Sequence, residues 1–167
     1  MLTFNTILCP LDFSVSSDKA LRNAVEMASH FHAELLLVHV LAPIPVLPAE
    51  PAYLLPAIPV MPTGSTGTLR ASTSDQEDQE LAAKERLALV VKQLPSEIRS
   101  RTVIGIGVAA DEIVRIASTE KVDLIVIATH GVTGWRHMVF GSVAEKIVRL
   151  ANQPVLVIPA HDSEEGR

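Results

Sequence analysis

Two separated stretches of this chain carry residue types suited to holding an anionic ligand. One is Gly131 with Gly141-Ser142, nine residues apart (132–140). Glycines at both ends of a loop let backbone N–H groups turn toward one point. A helix opening at the second glycine adds the positive end of its dipole, about half a unit charge. The other is Asp12, a carboxylate that closes an apolar run. Together they suit binding rather than catalysis. No G-x-S-x-G, no Cys–His pair and no acid dyad at helical spacing is present, and G-x-x-x-x-G-K-[S/T] is missing. Gly105-Ile106-Gly107-Val108-Ala109-Ala110 fits a dinucleotide fingerprint. Such a site needs an acid at the end of the next strand, whereas Asp123 lies at its start.

The elements that must position these residues follow from periodicity. Leu124–Ile127 is an apolar, β-branched run, the pattern of a strand buried on both faces. It ends in Ala128-Thr129-His130-Gly131. Ser142-Val143-Ala144-Glu145 reads as a capping box, with Ser142 as N-cap and Glu145 as its partner. Ala144, Ile147, Val148 and Ala151 form the inner face of that helix, and Pro154–Pro159 a final strand.

Upstream, Thr6–Leu11 is the first strand. A helix with Ser16, Ser17 and Asp18 as caps or first-turn residues runs to about Phe31, and Glu34–Leu41 is the second strand. Leu87, Val90, Val91 and Leu94 stripe a helix over Asp75–Leu94, ended by Pro95. Arg101–Gly107 is a third strand, followed by a helix with Ala110, Ile113, Val114 and Ala117 inward. Five strands alternating with four helices make an α/β domain with a mostly parallel sheet. Ligands in such sheets bind at the strands' carboxyl ends, where the strand order reverses. If the first and fourth strands are neighbours there, Asp12 and the glycine loop face one crevice.

Residues 42–74 interrupt the alternation with seven of the eleven prolines. Their apolar character suits a lid or partner-binding flap as well as a surface loop. The expected organisation is one domain over residues 1–160 with this insert, and a polar tail at 161–167. The formal net charge of −5 and the lack of a basic run argue against nucleic acid. No apolar run is long enough for a membrane span, and no signal peptide is recognised. A lone cysteine, Cys9, reads as a buried small hydrophobe and fits a reducing cytoplasm. His39 reads as a core histidine; His30 and His32 have no companions for a metal site.

Cys9-Pro10-Leu11-Asp12-Phe13-Ser14, Val38-His39-Val40, and Gly131 nine residues before Gly141-Ser142 together resemble the universal stress protein family. The likeness runs from about Thr6 to Pro159. The family's nucleotide-binding members carry G-x-x-G, nine residues, then G-[S/T]; Ala128 stands at the first glycine. The resemblance implies a single-domain, open, twisted five-stranded parallel sheet in the order 3-2-1-4-5 with helices on both faces. It implies an adenine nucleotide, ATP or AMP, in the crevice. By position, Asp12 meets the adenine or ribose with Pro10, Leu11 and Phe13 around it, and Val40 meets the base. Ile127 and Ala128 line the nucleoside, with Thr129 and His130 beside them. Gly131, Gly141, Ser142 and Val143 hold phosphate. The expected role is a cytoplasmic stress sensor or switch. The alternatives are a slow ATPase using Mg²⁺ and His130, and a nucleotide-free interaction module. The resemblance also implies a homodimer through the strand at 154–159, an apolar edge that needs covering.

Overall fold

The computed structural model describes residues 3–44, 73–129 and 141–159. Residues 45–72 of the proposed lid or flap, the tail and most of the glycine loop lie outside these residues.

The elements are β1 (Thr6–Pro10), α1 (Val15–Phe31), β2 (Glu34–Leu41), α2 (Thr73–Gln93), β3 (Ser100–Ile106), α3 (Ala109–Thr119), β4 (Leu124–Ala128), α4 (Ser142–Leu150) and β5 (Val155–Ile158). The sheet order is β3-β2-β1-β4-β5, and every pairing is parallel. The strand order reverses between β1 and β4, each of which leads into a helix, α1 and α4.

Side chains alternate across each strand, so apolar runs feed two cores. Ile7, Cys9, Leu35, Leu37, Leu124 and Val126 pack under α1 and α2. Leu8, Leu36, Val38, Ile125 and Ile127 pack under α3 and α4. Truncating a side chain such as Leu36, which is fully buried, costs about 2–5 kcal/mol. Burial, and next the charge of Asp18, pushes the Cys9 thiol up to about 12, so it behaves as a hydrophobe.

Helix α1 buries Ser17, Ala20, Ala24 and Ala28, small residues that let its backbone lie close to the sheet. It ends at His32 in the left-handed conformation, whose N–H reaches Ala28 O and Ser29 O. On α4 only Ala144 and Ile147 are buried; Val148, expected inward, is 48% exposed. Nine residues make two and a half turns, and only a narrow seam of so short a helix meets the sheet. Ile44 N donates to Gln76 Oε1 at 3.2 Å, tying the end of the β2 segment to the first turn of α2.

Candidate functional site

Between β1 and α1 the chain turns on hydrogen bonds made by its own side chains. Asp12 Oδ1 accepts from Ser14 N at 3.0 Å and from Ser14 Oγ at 2.6 Å. Ser14 Oγ in turn accepts from Ser17 N at 3.2 Å, which makes Ser14 the N-cap. Ser16, Ser17 and Asp18 are therefore first-turn residues rather than caps, because D-x-S closes an Asx turn that delivers the chain to the helix at Ser14. Phe13 sits inside this turn at φ +61°, a left-handed conformation uncommon for a bulky residue. Its ring lies 4.6 Å from the His39 ring, and the Arg86 guanidinium lies 3.9 Å over its face. His39 Nδ1 approaches Leu11 O at 2.6 Å.

The β1–β2 register exposes a second feature. Glu34 N donates to Asn5 O, and Val38 O accepts from Leu11 N. Even-numbered residues of β2 thus direct their amides toward β1, and odd-numbered ones toward β3, as Leu35 N to Arg99 O shows. Since β1 ends at Pro10, the N–H and C=O of Val40 lie beyond it. Neither has a backbone partner among the described residues. A donor and an acceptor stand side by side at the point where strand order reverses.

Opposite them is the start of α4. Gly141, not Ser142, is its N-cap, at φ −73°, ψ 150°, with no side-chain cap. Gly141 N donates to Thr129 O at 2.5 Å, and Gly141 O accepts from Glu145 N at 2.9 Å. Ser142 is already helical, so the expected capping box does not form. The N–H groups of Ser142, Val143 and Ala144 therefore have no acceptor within the helix. Gly141 itself offers no free N–H. Ala128 ends β4 in register with Ile158, outside the positive-φ residues, so its methyl meets no backbone strain.

These features surround one cavity of about 300 Å³, at the low end of the ~300–1,000 Å³ of ligand pockets. Pro10, Leu11, Asp12, Val40, Ile127, Ala128, Thr129, Gly141, Ser142 and Val143 all line it. Phe13 is not part of the wall; its ring turns to His39 and Arg86 instead. His130 and Gly131 lie outside the described residues. Ser17, Val38, His39, Ala109, Ile113 and Ala144 also line the cavity. Sequence reasoning did not assign these to the site, because only the packing of α1, β2, α3 and α4 around the crevice brings them there. Among the described residues, Asp12 is the one carboxylate on this wall.

The competing glycine motif serves packing. A Cβ on Gly105 would press on Glu112 Cγ, and Gly107 adopts φ +153° while its N–H donates to Leu41 O at 2.9 Å. Glu112 grips Arg115 through two hydrogen bonds of 2.8 and 2.6 Å, which holds its carboxyl below the usual carboxylate range. Asp123 accepts from Asn5 N (2.7 Å) and Thr6 N (3.0 Å), at the sheet end away from the cavity.

The sequence model described as the universal stress protein family matches residues 3–55 and 47–159. Universal stress protein MJ0531 of Methanocaldococcus jannaschii is 33% identical over 159 residues, covering 93% of this chain and 82% of its own. The solved structure of MJ0577, whose sequence relative comes from the same organism, superposes with a TM-score of 0.70 at 25% identity, covering 97% of this chain and 100% of that one. A universal stress protein of Archaeoglobus fulgidus, solved in complex with dAMP, shares the fold with a TM-score of 0.56 at 21% identity, over 95% and 99% of the two chains.

Proposed function

The chain belongs to the universal stress protein family, and on that premise we propose that it binds an adenine nucleotide, ATP or AMP, as a sensor or switch. The observation that carries this reading is one cavity with three complementary ends. The open amide of Val40 matches the donor–acceptor edge of a purine. Asp12 matches ribose hydroxyls. The uncapped first turn of α4 matches phosphate. The dAMP complex of the A. fulgidus relative supports the same ligand chemistry. Among the described residues, no nucleophile–base pair lines the cavity. Calorimetric titration is expected to give micromolar dissociation constants for AMP and ATP, and adenosine is expected to bind at least about tenfold more weakly for want of the phosphate. Absence of binding by both nucleotides at millimolar concentration overturns the reading.

We also propose that the protein is a cytoplasmic homodimer paired through β5. Ile125 N bonds to Pro154 O and Thr129 N to Ile158 O, so the amides of Val155 and Val157 point away from β4. Antiparallel pairing with a second copy would satisfy them.

A further inference from the structure

We propose that His39 is a positioning residue that determines base specificity by keeping the Val40 amide available to the ligand. This rests on the nucleotide reading above. In a regular parallel ladder the carbonyl after Pro10, that of Leu11, would accept from Val40 N–H, continuing the rungs made by Glu34 and Val38. That rung is not formed. His39 Nδ1 occupies the acceptor at 2.6 Å. A carbonyl only accepts, so Nδ1 carries the proton and the ring is the donor. The imidazole thereby stands in for the backbone of the next residue, and the ladder stops one rung early.

The contact also fixes the turn. Asp12 lies between two clamped neighbours. Leu11 is held at its carbonyl by His39, and Phe13 at its ring by His39 and by Arg86 from α2. Phe13 is held at φ +61°, and such a conformation persists where the surroundings over-determine it. The Asp12 carboxylate is set by Ser14 from the other side. One side chain on β2 thus governs both the donor offered to a base and the carboxylate beside it.

Two substitutions separate this role from a merely structural one. His39→Asn keeps an N–H donor near the Nδ1 position. His39→Phe keeps a ring against Phe13 but has no donor, so Val40 N–H is free to take Leu11 O. Two measurements are made on each full-length protein: amide hydrogen exchange without ligand, and titration with AMP and inosine monophosphate, whose base edge reverses the donor and acceptor. Exchange at Val40 is expected to be at least about fivefold slower in His39→Phe than in wild type, the value of one ordinary hydrogen bond. AMP affinity is expected to fall by a similar factor and the preference for AMP over inosine monophosphate to shrink, while His39→Asn stays close to wild type in both. Unchanged Val40 exchange in His39→Phe overturns the proposal whether or not nucleotide binds. An AMP preference equal to wild type in His39→Phe also overturns it. A wild-type protein that binds neither nucleotide, yet shows the exchange difference, defeats the nucleotide reading and the base-specificity claim while retaining the ladder displacement.

Discussion

Residue identities in the crevice were legible from the sequence wherever a local pattern carried them. Asp12, Gly141 and Ser142 announced themselves by type and spacing, and all three line the cavity. The partners that orient them did not. His39 reads as a core histidine because it interrupts an apolar strand. Its contact with Leu11 O spans 28 positions and exists only once β1 and β2 are paired. Gly105 is the converse case, a motif with a local look and a packing cause. Gly105→Ala would push Glu112 aside and disturb its fork with Arg115. The expected loss is about 1 kcal/mol in urea unfolding. Combining it with Glu112→Ala should remove most of that loss, since the clashing atoms are gone. Full additivity of the two changes would disprove the steric account.

Helices and strands were read to within a residue or two, because an apolar run or a 3.6-residue stripe is a local signal. Caps were not. A sequence shows which hydroxyls could cap, but the preceding turn decides which one does. At α1 the Asp12 turn selects Ser14. At α4 the bond from Gly141 N to Thr129 O places the glycine at the cap and moves Ser142 inside. That correction yields a clean probe of the helix start. Proline is tolerated at the first helical position, and Gly141 at φ −73°, ψ 150° already has the conformation a pre-proline residue adopts. Ser142→Pro should therefore keep the melting temperature within a few degrees while deleting one N–H and the hydroxyl. We expect AMP to bind about tenfold more weakly to it, and Ser142→Ala, which loses only the hydroxyl, to show a smaller loss. Equal affinity for AMP in wild type and Ser142→Pro would remove the first turn of α4 from the phosphate site.

At the scale of the molecule, the alternating pattern specified an α/β sheet and the family likeness its strand order, both of which hold. The assembly is a prediction of a different kind, argued from an edge. Val157 directs its N–H outward, so Val157→Pro removes a donor from the edge without touching the ladder to β4. Sedimentation should show wild type as a dimer and Val157→Pro as a folded monomer; a monomeric wild type at high concentration rejects the β5 interface. The other end of the sheet has its own consequence. Because Ile44 and Gln76 touch, the crossover from β2 to α2 is already closed at its base. The sheet's connectivity does not depend on the length of what is strung between them, and each doubling of such a loop costs only about 0.6 kcal/mol. That junction is a natural port where foreign sequence can be grafted, or native sequence exchanged, while the β1–β2 register beside the crevice is kept.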